Sequence, residues 1–203
     1  MKLLHIDSSA LGDNSASRPL TAEVVAGFRD RESNVEVIYR DLDKHAPAHL
    51  TGMVLAAQAA DAATLSPEVL ADVRYGNALI AEFLAADVIV IGAPMYNFSI
   101  PTPLKAWIDR IVKAGITFKY DANGAVGLAT GKRAVIVSSR GGKLPNDSPL
   151  DHQESYLRGM LGFIGVTDVT IVRADGLAYG PEAAAASIAG ARESITRDLA
   201  AVA

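Results

Sequence analysis

Apolar residues along this chain follow two rhythms that take turns. Short apolar runs read as strands: Lys2 to Asp7 (KLLHID), Val35 to Leu42, Asp87 to Ala93, Arg133 to Ser139 and Asp168 to Ala174. Between them, apolar positions recur at helical spacing. In the stretch Ser17 to Arg31 they are Leu20, Val24, Val25 and Phe28, with Ser17 predicted as N-cap and Pro19 in the first turn. Residues 48 to 62 are Ala-rich and predict a helix. Ser66-Pro67 opens a long helix to Ala86, and Thr102-Pro103 repeats that cap-and-proline signature for a helix through Val112. Asp151 to Ile164 and Pro181 to Val202 complete the set, the last with an amphipathic pattern. Thr117 to Ala129 carries "DANG" between two short aromatic or β-branched runs, which predicts a hairpin. Strands alternating with helices imply βαβ units: one doubly wound, five-stranded parallel sheet with helices on both faces and a small β-hairpin insertion. The third to fifth strands are nearly continuous apolar runs, as parallel strands covered on both faces should be.

Composition narrows the function. The chain has 203 residues, one domain's worth, and half of them are hydrophobic while 21% are charged, which excludes a disordered or collagen-like chain. Net charge is −4, with no basic cluster, so nucleic acid is disfavoured as a partner. There is no cysteine, which removes disulfides, Cys-ligated zinc and thiol catalysis and fits a reducing cytoplasm. The N-terminal apolar stretch is too short for a signal peptide, and no run of about 20 uncharged apolar residues predicts a membrane span.

In open parallel sheets, ligands bind beyond the carboxyl ends of the strands near a switch in strand order. That rule selects three segments. The first, "DSSALGDNSASRPL", offers Ser8, Ser9, Asn14, Ser15 and Ser17 ahead of a helix N-terminus, a combination suited to a phosphate. Such serines also serve as plain turn formers and caps. It is not a G-x-G-x-x-G fingerprint, and "GLATGKR" is not a Walker A loop. The second, "PMYNFSIPTP", is stiffened by prolines 94, 101 and 103 and presents Tyr96, Asn97 and Phe98, a wall for a planar heterocycle or a set of packing aromatics. The third, "SSRGGK", pairs two glycines that permit close backbone approach and positive φ, as a plain turn would also use.

Taken together, "SS…NSAS", "APMYNFSIPTPLKAWIDRI" and "SSRGG" resemble the FMN-dependent NADH-azoreductases, a family of flavodoxin-like NAD(P)H quinone oxidoreductases, in order and spacing over essentially the whole chain. The resemblance implies a flavodoxin-like fold, non-covalent FMN, NADH as electron donor, quinones and azo dyes as acceptors, ping-pong turnover and a homodimer. By position, Ser9, Ser15, Ala16 and Ser17 would hold the FMN phosphate. Met95, Tyr96, Asn97 and Phe98 would line one side and edge of the ring, and Ser139, Arg140, Gly141 and Gly142 would take its pyrimidine end. Phe118 and Tyr120 on the hairpin, with Phe163, would form the substrate rim and lean on the dimer partner. No catalytic side chain is implied, because the flavin carries the chemistry.

Other features read as structural. His45 and His49 have ligand spacing, but Pro47 between them breaks a regular helix. His5, Phe28, Phe83 and Trp107 read as core, and Asp41 and Asp43 as solvated turn charges. Two further functions stand beside the reductase: a flavodoxin-type electron carrier or general NAD(P)H:FMN reductase, and a flavin-free binding module.

Overall fold

The computed structural model describes residues 1–58, 60–145 and 148–200. Five parallel strands form the central sheet: β1 (Lys2–Asp7), β2 (Glu36–Asp41), β3 (Val88–Pro94), β6 (Arg133–Ser139) and β7 (Asp168–Ala174), in the order β2-β1-β3-β6-β7. The remaining two, β4 (Phe118–Asp121) and β5 (Gly124–Gly127), pair antiparallel as the expected hairpin, with Asp121 opposite Gly124. The helices are α1 (Ser17–Arg31), α2 (Gly52–Ala57), α3 (Pro67–Ala85), α4 (Thr102–Ile111), α5 (Glu154–Phe163) and α6 (Pro181–Ala200). The expected end of the last helix, residues 201 and 202, lies outside the described residues.

Alternation along β3 shows why the sheet needs helices on both sides. Ile89 and Ile91 face one core with Phe83 of α3, Trp107 of α4 and Leu157 of α5. Val88 and Val90 face the other, with Leu20, Val24 and Phe28 of α1 and Ile195 of α6. The core expectations for Phe28, Phe83 and Trp107 hold, since all three are buried. The chain runs outward from β1 to β2, then crosses back to β3 on the other side of β1. The strand order therefore switches between β1 and β3, and the loops leaving these two strands part there.

Several element boundaries differ from expectation for local reasons. Ser66 caps α3 as expected, its Oγ accepting from Val69 N. At α1, Ala16 is already helical (φ −76°, ψ −31°), so Ser17 lies inside the first turn. The capping oxygen comes from Ser15, whose Oγ accepts from Arg18 N at 3.3 Å. At α4 the extended residue is Pro101, and Thr102 is the first helical residue without a side-chain cap. At α5 the Asp151 carboxylate accepts from Gln153 N and Glu154 N, and the helix starts three residues later than the apolar pattern predicts. The Ala-rich stretch 48–62 is not one helix. Thr51 caps the six-residue α2, and Asp61 opens a separate 3₁₀ turn at Ala62–Thr64.

Candidate flavin site at the carboxyl ends of the strands

The three selected segments converge. A cleft of about 330 Å³ lies beyond the carboxyl ends of β1, β3 and β6, and Ser9, Ser15, Ala16, Met95, Tyr96, Ser139, Arg140 and Gly141 all line it. The segments are tied to one another. Tyr96 OH accepts from Ala10 N at 3.1 Å and shares a hydrogen bond with Ser9 Oγ at 3.3 Å, joining the first loop to the second. Met95 N donates to Ser139 O at 2.7 Å, joining the second to the third. Gly92, next to last but one in β3, sits where a Cβ would come within 2.7 Å of Asp7 Oδ1, so glycine keeps β1 and β3 close beneath the cleft.

Free donors mark both ends of this cleft. Among the described residues, Ala16 N–H and Ser17 N–H, at the N-terminus of α1, have no acceptor. Gly141 N–H and Gly142 N–H at the other end have none either. Pro19 removes a further donor from the first turn of α1, where its missing N–H leaves no intrahelical bond unmade. Ser17 itself is fully buried, outside the cleft lining, with its Oγ 3.2 Å from Ser15 Oγ. It thus supports Ser15 from below. Neither Gly141 nor Gly142 adopts positive φ, so of the two uses expected for the pair, positive φ and close backbone approach, only the second remains. What glycine gives here is access: a Cβ on Gly142 would meet nothing nearer than Tyr179 OH at 3.9 Å, so the face of the loop is open.

Strain is concentrated in the second loop. Asn97 (φ 49°) and Phe98 (φ 70°) are the described non-glycine residues with positive φ. Tyr96 N donates to Ser99 O and Ser99 N to Tyr96 O, closing a tight reverse turn with two left-handed central residues, the type I′ geometry. Asparagine tolerates that conformation, whereas phenylalanine occupies the place where glycine is usual. The turn is held from outside, since Phe98 O accepts from His152 N at 3.0 Å and Ser99 Oγ donates to His152 O. Asn97 and Phe98 stand exposed at the cleft mouth and are not part of its lining, and the Asn97 amide makes no hydrogen bond among the described residues.

Below the loops lie buried charges. Arg140 is buried, and its guanidinium points into the fold: Nη1 donates to Asp151 Oδ2 at 2.9 Å, and Nη2 donates to Ser138 Oγ and to Glu154. Arg140 shapes the cleft wall and offers it no cationic tip. Burial opposes the charge on Glu154, but hydrogen bonds from Arg173 and Ser138 and the positive charges of Arg140 and Arg173 outweigh it and hold the carboxyl below its ordinary range. Under the serine loop, Asp41 is buried and doubly hydrogen-bonded to Arg18, which corrects its reading as a solvated turn charge. His5 is buried as expected, but Nε2 has no hydrogen bond and lies 3.5 Å from Asp7 Oδ2. Asp7 in turn accepts from Thr21 Oγ1 and Tyr39 OH, and burial together with the Asp7 charge pushes the Tyr39 pKa up to about 12.

Two further groups of residues complete the picture. Phe118, Tyr120 and Phe163 do cluster, with Phe118 4.7 Å from Phe163 and 5.7 Å from Tyr120 between ring centres. They do so at the other end of the sheet, where the hairpin leads into β6 and α5 leads into β7. The hairpin leans on its own chain: Ala129 N donates to Ile164 O, and a Cβ on Gly127 would collide with the Gly165 backbone. Tyr120 remains 72% exposed. The second group is a fourth wall that sequence reasoning missed. Leu177 and Ala178 from the loop after β7, with Ala184 and Ile188 of α6, line the cleft, and Gly176, Leu177 and Ala178 N–H groups donate to the carbonyls of Gly142, Arg140 and Gly141. The signal was present in "DGLAYG", a strand-end loop bracketed by two glycines with φ of +70° and +109°.

A five-stranded parallel sheet of this order, with a cleft at the switch point offering main-chain donors at two separated ends, defines a flavodoxin-type nucleotide-binding protein. The chain belongs to the Flavodoxin_2 family, described as a flavodoxin-like fold, whose model matches residues 1–199. It is 52% identical over 201 residues to FMN-dependent NADH:quinone oxidoreductase 2 of Pseudomonas aeruginosa, covering 99% of this chain and 100% of that protein. It is 51% identical over 199 residues to the FMN-dependent NADH:quinone oxidoreductase of Azospirillum brasilense, covering 96% of each. Among solved structures, an FMN-dependent NADH-azoreductase from Bacillus anthracis in complex with FMN superposes with a TM-score of 0.84 at 28% identity, covering 97% of this chain and 98% of that one.

Proposed function

We propose that this protein is an FMN-dependent oxidoreductase that takes electrons from NADH and delivers them to quinones and azo compounds. The observation that carries the reading is the pair of free donor sets at opposite ends of one cleft, of the kind a molecule with a phosphate at one end and an electron-rich ring edge at the other requires. Relatives at about half identity over the full length, named as FMN-dependent NADH:quinone oxidoreductases, support it.

The residues divide the work as follows. Ser9 and Ser15 hydroxyls and the N–H groups of Ala16 and Ser17 take the FMN phosphate, with the α1 dipole favouring its charge. Met95, Tyr96, Asn97 and Phe98 bound one side and edge of the ring, and the strained turn fixes them there. Ser139, Gly141 and Gly142 face the pyrimidine end, where the two glycine N–H groups stabilise developing negative charge. Arg140 shapes the wall, its guanidinium being committed to the base of the loop and its N–H to Ala174 O. The chemistry that bound FMN would supply here is hydride acceptance from NADH and electron delivery to the acceptor. Donor and acceptor would use the one cleft in turn, which would give ping-pong kinetics. Phe118, Tyr120 and Phe163 lie too far round the fold to serve their own cleft. In a homodimer they would reach the partner's, beside the exposed Phe98 and Leu150. We place the protein in the cytoplasm, in keeping with its lack of cysteine, and no helix among the described residues is long and apolar enough to cross a membrane.

Anaerobic spectroscopy tests the two halves separately. Protein loaded with FMN should show an oxidised-flavin band that NADH bleaches and a benzoquinone restores. A band that NADH leaves intact would indicate an electron carrier instead. Size measurement in solution should give a dimer, and a monomer with normal turnover would contradict the shared rim.

A further inference from the structure

The carboxylate at the end of β2 sits oddly. Asp41 lies beneath a loop assigned to an anion, and it is buried. Its partner explains it. Arg18, the second residue of α1, spreads its guanidinium across three elements. Nη1 donates to Asp41 Oδ2 at 2.8 Å and Tyr39 OH at 3.2 Å, and Nη2 donates to Asp41 Oδ1 at 2.7 Å and to Ser9 O at 3.0 Å. The Arg18 main-chain N–H donates to Ser15 Oγ. One residue therefore holds Ser9 by its carbonyl and Ser15 by its hydroxyl, and anchors them to the end of β2. Asp41 Oδ1 also accepts from Asp43 N, which fixes the anchor itself.

From this arrangement we infer that Arg18 and Asp41 form a latch that positions the serine loop for the FMN phosphate without touching it. The inference rests on the assignment of that loop to the phosphate. A direct role for the guanidinium is poorly supported by its geometry. All four of its terminal N–H groups are engaged, its Nε is buried and makes no hydrogen bond, and Arg18 does not line the cleft. Its charge is matched by the Asp41 carboxylate in a bidentate pair, so little net attraction for an anion remains. What Arg18 contributes is direction. With Ser9 O drawn toward α1 and Ala10 N held by Tyr96 OH, the chain between β1 and α1 is fixed at its second and third residues. A bidentate fork does this and a lysine cannot, because a single ammonium has no planar pair of donors to bridge Asp41 and Ser9.

Two ligands and three variants test the latch. The full-length protein, stripped of flavin, is titrated with FMN and with riboflavin, which lacks the phosphate, by flavin fluorescence. In Arg18→Ala and in Asp41→Asn, FMN should bind about 10- to 100-fold more weakly, the loss expected for misplaced hydrogen bonds to a charged group. Riboflavin affinity should stay as in the wild type, and Arg18→Lys should fall between. Asp41→Asn is decisive because the two roles of Arg18 predict opposite signs. If Arg18 is itself a phosphate partner, freeing its charge tightens FMN binding, and that result overturns the latch. Equal loss for FMN and riboflavin overturns it too, since it shows a fold defect rather than an effect on the phosphate loop. Should Arg18→Ala not fold, the near-isosteric Asp41→Asn gives the answer alone. Wild-type protein that binds riboflavin as tightly as FMN removes the phosphate assignment on which the latch depends, and it does so before any variant is made.

Discussion

Hollows lie at both ends of the sheet, and volume does not pick out the better site. At the amino end, a cavity of about 490 Å³ lies among Met1, Phe28, Arg31, Lys132 and Leu199, against about 330 Å³ for the cleft at the carboxyl end. The difference is in the polar groups. At the amino end several are paired: Lys132 Nζ donates to Leu84 O and Ala86 O, Arg133 pairs with Asp168, and Asp87 accepts from Lys2 N. At the carboxyl end, main-chain donors are free, two adjacent non-glycine residues hold left-handed conformations, and charges are buried under the loops that carry them. Unmatched directional groups and stored strain identify a site better than volume does, because a ligand can supply what the fold has left unmatched.

Acid should expose this asymmetry most strongly. Hydrogen bonds from Arg18 lower the pKa of Asp41. Burial opposes the charges on Asp151 and Glu154, yet hydrogen bonds and arginine charges still bring both below their ordinary values of 3.8 and 4.5. Each carboxyl binds its proton more weakly folded than unfolded. The stability they contribute is therefore present in full above those ordinary values and is lost as pH falls through the folded ones. The urea midpoint should be flat in the neutral range and drop below about pH 4, with hydrogen exchange rising first around the carboxyl-end loops. A matched pair of substitutions comes next in size. Glu154→Ala takes from the buried Arg140 one of its two carboxylate partners, leaving Asp151, and should cost about 1.5–3 kcal/mol in a urea melt. Asp168→Ala, at the amino end, releases the half-buried Arg133 from an exposed partner and should cost at most about 1 kcal/mol. Equal losses would break the comparison. Smallest is Phe98→Gly, which relieves the left-handed phenylalanine. It should raise stability by roughly 1 kcal/mol in thermal melts while weakening flavin binding, since the strain then held the wall in place.

Much of this was legible in the sequence, and the parts that were not share a cause. Strand runs such as DVIVIGAP and cap pairs such as Ser66-Pro67 are local signals, so the sheet, α3 and the three strand-end loops could be read from them. What escaped was long-range pairing. Asp41 looks like a turn charge until Arg18, 23 residues away, reaches it. Ser17 looks like a cap until Ala16 turns helical before it. The glycine pair allowed either positive φ or close backbone approach, and only the ordinary φ values in the fold leave the second. The rim aromatics were found as a cluster, but only the path of α4 down to the amino end shows that they sit away from their own cleft.

The central claim is that FMN binds at the carboxyl ends of the strands and nowhere else on this fold. Hydrogen–deuterium exchange with and without FMN tests it directly. Saturating FMN should slow exchange in segments 8–17, 95–99, 139–143 and 175–179 together, because one molecule held as proposed would bridge all four walls of the cleft. The peptides around Met1, Arg31 and Lys132 should be unchanged. Protection at that amino-end cavity, with the four loops exchanging as before, would contradict the account.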